Sequence, residues 1–162
     1  MQRALLTALV LTTSACSGTD IGMFGANSAS LIDGTPASDR PEIGYLGGCT
    51  ATLIRPNVVV SASHCHGYSS RRSPGSYGSF SIERDGRWIG EYDIDLIEVY
   101  GQQLGSNDVA LLHLSSSVPD AVSTPTRVAD RSAEPGEESV LWGYGCTSRG
   151  RQSGGGQKRS FT

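Results

Sequence analysis

Charge, aromatic side chains and long apolar runs are all scarce in this sequence, and each shortage excludes something. Charged residues make up 18% of the 162, with 13 basic against 16 acidic and a net charge of −3. No basic stripe stands out, so neither nucleic acid nor an anionic membrane surface is expected as a partner on electrostatic grounds. The main apolar stretch, Ala4 to Leu11, is far short of the roughly twenty residues a membrane-spanning helix needs. Beyond that stretch no helical periodicity is sustained, which argues against a helical bundle. What is abundant is glycine, 21 in all, and short apolar runs broken by turn residues. That pattern favours one all-β domain, or two small ones.

The N-terminus has an order of its own. Arg3 precedes the Ala4–Leu11 stretch, and Thr12-Thr13-Ser14-Ala15-Cys16 follows it. Positive, apolar, then small is the layout of a secretory signal, here residues 1–15. Ser14-Ala15-Cys16-Ser17 also resembles a bacterial lipobox, with Thr13 where leucine is usual. The resemblance implies acylation of Cys16 and attachment to a membrane, each buried methylene contributing about 0.8 kcal/mol. Ordinary cleavage after Ala15 is the plainer alternative. Residues 16–30, rich in Gly and Ser, read as a tether or propeptide.

From residue 31 onward the outline is strands and turns. Thr50–Ile54 and Val58–Ala62 flank Arg55-Pro56-Asn57 and read as a hairpin. Phe80–Glu83 and Trp88–Tyr92 flank Asp85-Gly86, a two-residue hairpin turn. Tyr92, Ile94 and Leu96 alternate with Asp93 and Asp95, predicting a half-buried strand with those three on its apolar face. Val109–Leu114 is a further strand. Three prolines between Ser115 and Gly136 mark a connection over the surface. A strand over Ser139–Trp142 follows, then a Gly-rich tail ending at Lys158-Arg159.

Two segments carry chemistry. Cys49-Thr50-Ala51-Thr52-Leu53-Ile54 leads through Val58-Val59-Val60-Ser61-Ala62-Ser63 to His64-Cys65. This closely resembles the active-site histidine segment of the trypsin/chymotrypsin family of serine endopeptidases, with Ser61 and Ser63 where threonine and alanine are common. Asn107-Asp108 followed by Val109–Leu114 resembles the family's aspartate segment, and Val140-Leu141-Trp142-Gly143-Tyr144-Gly145 resembles a segment early in its second barrel. Leu31-Ile32-Asp33-Gly34 resembles its mature N-terminus, with Asp33 where glycine is commoner. A histidine or an aspartate alone at a strand end is usually a surface residue. Here the flanking patterns set both apart, and Asp93 and Asp95 are expected to be solvated.

The resemblance implies a double Greek-key β-barrel whose second barrel is incomplete in this chain: a first barrel over about 31–120 and a partial second over about 136–162. It implies His64 as general base and then acid, a task suited to an imidazole with an unperturbed pKa near 6.5. Asp108 would orient that ring and stabilise its charged form. It also implies a Cys49–Cys65 disulfide, in keeping with export. A protein or peptide substrate is expected, with no cofactor and a monomeric state.

The family's nucleophile sits in a Gly-Asp-Ser-Gly-Gly context, which these 162 residues do not contain. Ser153-Gly154-Gly155 is the nearest string, but Gln152 precedes it, only eleven residues after Trp142. Cys146 is then expected to lack its partner. The expectation is an inactive, marginally folded chain, with the first barrel's inner face left uncovered. Two alternatives stand beside this reading. One is a non-catalytic binding lipoprotein on a degenerate protease scaffold. The other is a metal site in which an extended strand places His64 and His66 on one face, with His113 as a remote third ligand.

Overall fold

A computed structural model describes residues 34–71, 73–101, 107–145 and 156–162. Cys16, Leu31–Asp33, Cys146 and Ser153 lie outside the described residues. Among the described residues, nine strands and one short 3-10 turn make up the regular structure: β1 (Thr35–Pro36), β2 (Ile43–Leu46), β3 (Cys49–Arg55), β4 (Val58–Ser61), the turn Ser63–His66, β5 (Ser79–Arg84), β6 (Arg87–Val99), β7 (Ala110–Leu114), β8 (Leu141–Gly143) and β9 (Arg159–Phe161). Six of them close a barrel in the order β2-β3-β4-β7-β6-β5, and the other three form a sheet in the order β1-β9-β8. The fold is all-β, as expected.

The turns form where the sequence marks them. Asp85 and Gly86 have φ of +52° and +71°, two left-handed residues in succession, which lets a two-residue loop follow the twist of β5 and β6. Pro56 and Asn57 link β3 to β4. Inward positions then alternate: Ala51 and Leu53 on β3, Phe80 and Ile82 on β5, and Ala110, Leu112 and Leu114 on β7 are buried together with Val59, Ile94 and Ile97. Closure leaves no free edge among the six strands. This corrects one expectation. The barrel's inner face is not left uncovered, because side chains from its own six strands fill it.

The alternation predicted for β6 fails at one point. Ile94 is buried, but the next inward residue is Ile97 rather than Leu96. The register shifts between Ile94 and Leu96, a β-bulge that sends one residue out of turn. The cause is architectural. β6 pairs with β5 through Arg87–Asp93 and with β7 through Ile94–Val99, so one strand of thirteen residues must bend around a barrel corner.

The C-terminal end differs further from expectation. β8 begins two residues later than predicted. The glycine-rich tail is followed by β9, which pairs with both β8 and β1. Lys158, just before it, is fully buried, and its Nζ donates to the carbonyls of Asp39, Arg40 and Glu83 at 3.3, 3.1 and 3.1 Å. The connection after β7 runs over the surface as predicted, yet Val118 N–H donates to Pro56 O and Thr126 N–H to Leu53 O, at 2.7 and 2.9 Å. Those bonds lay it against the β3–β4 hairpin.

Candidate active site

His64 stands at the exit of β4. The strand ends at Ser61 because the chain turns there into one 3-10 turn, Ser63–His66. Gly67, with φ +60°, ends that turn in the left-handed conformation glycine adopts without steric cost. The turn is tied to the head of β3 by a disulfide between Cys49 and Cys65, sixteen residues apart. The sulfur bridge therefore flanks His64 on its C-terminal side.

Asp108 arrives from the opposite direction, just before β7. Asn107 has φ +66°, a conformation asparagine tolerates better than most residues. Val109 N–H donates to Asn107 O at 2.8 Å, a three-residue turn closed around Asp108. Antiparallel pairing of β4 with β7 places Ser61 opposite Ala110. The residues just outside that pair, His64 and Asp108, meet for this reason although 44 positions separate them.

The contact between them is two-pronged. His64 Nδ1 lies 2.7 Å from Asp108 Oδ2, and the His64 backbone N–H donates to Asp108 Oδ1 at 3.0 Å. A carboxylate can only accept, so the ring carries its proton on Nδ1 and leaves Nε2 as the basic nitrogen. The Asp108 side chain is 14% exposed and that of His64 46%, so the carboxylate is sheltered while the ring stays reachable from solvent. Burial works to raise the Asp108 pKa. Hydrogen bonds from the His64 ring and from the His64 and Ser63 amides, with the charge of His64, outweigh that and hold it below the ordinary carboxyl value.

The neighbours complete the picture. Ser63 is fully buried and its hydroxyl donates to Val109 O at 2.6 Å. The sequence marks this position only as a serine where alanine is common, and nothing local signals its partner. Tyr68 lies close enough to Asp108 that burial, then that carboxylate, raises its phenol pKa. His66 is half-buried, and burial followed by the charge of His64 lowers its pKa. Asp93 is exposed and Asp95 half-buried on β6, and neither approaches His64 as Asp108 does.

The metal reading loses its premise. His64 and His66 sit in a 3-10 turn and not on an extended strand. Sγ of Cys49 and Cys65 lies near His64, within 4.8 Å, but both sulfurs are committed to the disulfide. His113 is engaged elsewhere, its Nε2 3.1 Å from Glu98 Oε2 on β6.

Residues 33–159, well over half of the chain, match the family described as Trypsin. Among solved structures the chain is similar to neuropsin, a serine protease expressed in the limbic system of mouse brain, with a TM-score of 0.59 and 16% identity. The likeness covers 80% of this chain and 62% of that one, so the chain spans less than two thirds of that protein's length. At this identity the likeness speaks for the fold.

Proposed function

Because the chain belongs to the trypsin family, we propose that it is the histidine- and aspartate-bearing part of a serine-type endopeptidase. The observation that carries this is the two-pronged contact, His64 Nδ1 at 2.7 Å and His64 N at 3.0 Å from the two carboxylate oxygens of Asp108. The roles are those of the family's own triad, which is the type case for this mechanism. His64 Nε2 takes the proton of a serine hydroxyl as that oxygen attacks a peptide carbonyl, then returns it to the departing amine. Asp108 keeps the ring in the required tautomer and stabilises the imidazolium between those steps.

A hydroxyl nucleophile and backbone donors for the oxyanion are also needed. No Gly-Asp-Ser-Gly segment occurs within these 162 residues. In this reading the 162 residues alone hydrolyse no peptide bond, and activity belongs to a longer protein that supplies the serine. Domain bounds follow the sequence: signal over 1–15, tether or propeptide over 16–30, and peptidase domain over 31–162. Lipidated Cys16 would hold an exported, monomeric protein at a membrane. The Cys49–Cys65 bridge suits an oxidising compartment, and among the described residues no helix is long and apolar enough to cross a membrane.

The test is peptide hydrolysis by the 162 residues and by the longest reading frame that contains them. Cleavage confined to a longer form with a Gly-Asp-Ser-Gly segment, and lost in His64→Ala, is the expected result. Cleavage by the 162 residues themselves would overturn the inactivity. A full reading frame with no such serine and no hydrolysis would leave the binding-lipoprotein alternative as the better account.

A further inference from the structure

The turn carrying His64 and the turn carrying Asp108 must stay in register to a fraction of an ångström for the dyad to work. The disulfide does not provide this, since it ties the histidine turn to β3 and not to the aspartate. Among the described residues, a side chain outside the dyad also joins the two turns. Ser63, immediately before His64, is fully buried, and its hydroxyl donates to the carbonyl of Val109, immediately after Asp108, at 2.6 Å. The amide of the next residue, His64, donates to Asp108 Oδ1 at 3.0 Å. The Ser63 carbonyl accepts Tyr68 N–H at 3.1 Å.

Val109 is held on its other sides as well. The carbonyl that accepts the Ser63 hydroxyl also accepts Tyr100 N–H at 2.9 Å, and Val109 N–H closes the turn onto Asn107 O at 2.8 Å. Ser63 thus holds the residue that follows Asp108, while its neighbour His64 holds the carboxylate. We propose that Ser63 is a positioning residue: its buried hydroxyl, bonded to Val109 O, sets the orientation of Asp108 toward His64. The proposal rests on the dyad reading above and concerns how that dyad is kept aligned.

Ser61 supplies the control. It lies in the same segment, and its hydroxyl donates to Thr50 O at 2.9 Å, a bond of the same kind that leads to β3 instead of to the aspartate. A purely structural role for Ser63 would make Ser61→Ala and Ser63→Ala equivalent at the dyad.

The experiment is NMR on the 162-residue chain labelled with 15N-histidine, following the hydrogen-bonded His64 Nδ1–H proton. Asp108→Asn identifies that resonance by removing it. In Ser63→Ala the resonance should shift upfield and exchange with solvent roughly tenfold faster, since one buried hydrogen bond no longer resists opening. It should be unchanged in Ser61→Ala and recovered in Ser63→Thr, which keeps a hydroxyl. An unaltered resonance in Ser63→Ala, or the same change in Ser61→Ala, overturns the proposal. So does a Ser63→Ala chain that no longer folds, because Ser63 would then be a core stabiliser. If the wild-type chain shows no such resonance, the dyad reading fails before Ser63 is touched.

Discussion

At Asp108 two effects of opposite sign compete, and geometry decides between them. Partial burial alone would favour a protonated acid, whereas donors from the His64 ring and from the amides of His64 and Ser63 favour the carboxylate and prevail. A consequence for stability follows from the sign. A carboxyl with a folded pKa below its unfolded value of about 3.9 binds more protons in the unfolded chain. Its stabilising contribution is full above the unfolded value and drains as pH falls through the folded one. Thermal melts of wild type should therefore drop toward those of Asp108→Asn as pH is lowered from about 5 to about 2. A difference between the two that stays constant through this range would contradict the account. In a longer, active form the same substitution should cost about 10^4 in kcat, as it does in the type case, because an asparagine selects the wrong tautomer.

The elements that deliver the two residues depend on close approaches that tolerate little change. Gly101, buried at the end of the β6 segment, faces the Asn107 turn so closely that an added Cβ would lie 1.8 Å from Asn107 O. The backbone would have to give way, and Asp108 is the next residue. Gly101→Ala should cost about 1–3 kcal/mol by overpacking, read as a lower urea midpoint, and should weaken the His64 Nδ1–H signal in the same sample. Retention of both would show that the Asn107 turn is not held from behind. The disulfide acts at the same scale. It closes a loop of sixteen residues between β3 and the histidine turn, for which chain entropy gives about 3 kcal/mol. Replacing both cysteines with serine should lower stability by about that amount while leaving the His64–Asp108 contact, which the β4–β7 pairing supports independently.

Across the whole molecule, the barrel and the three-stranded sheet are joined by a buried cation. Lys158 precedes β9, yet its ammonium bonds carbonyls of Asp39 and Arg40, before β2, and of Glu83, in β5. Its burial lowers the amine's pKa, opposed by the carboxylates of Glu83, Glu42 and Asp39. The Tyr144 ring lies 5.9 Å from Lys158 Nζ and packs in turn with Tyr45 and Trp88, the three centroids 5.5 to 6.2 Å apart, so aromatic packing and the ammonium meet at the same junction. Lys158→Met preserves most of the stem but removes the charged donor from three carbonyls. It should destabilise by about 2 kcal/mol or more, and hydrogen exchange should quicken in β1, β8 and β9 before it does in the barrel. Exchange that rises equally in both would mean that the two parts unfold as one unit regardless of Lys158.

What the sequence determined by itself was local. The Asp85-Gly86 turn, the turn through Pro56-Asn57 and the short apolar runs of β3, β5 and β7 are legible because each depends on residues a few positions apart, whereas the segments bearing His64 and Asp108 were marked by their resemblance to a known family. The Cys49–Cys65 bridge was legible only through the family resemblance. Four features became visible only in the tertiary structure: the bulge that replaces Leu96 with Ile97, the burial of Lys158, the pairing of β9 with β1, and the Ser63–Val109 bond. Each joins segments distant in sequence, or follows from bending a strand so that six can close into a barrel. Periodicity records which side chains avoid water. It carries no record of which distant backbone they will meet, and that is fixed by barrel closure and register.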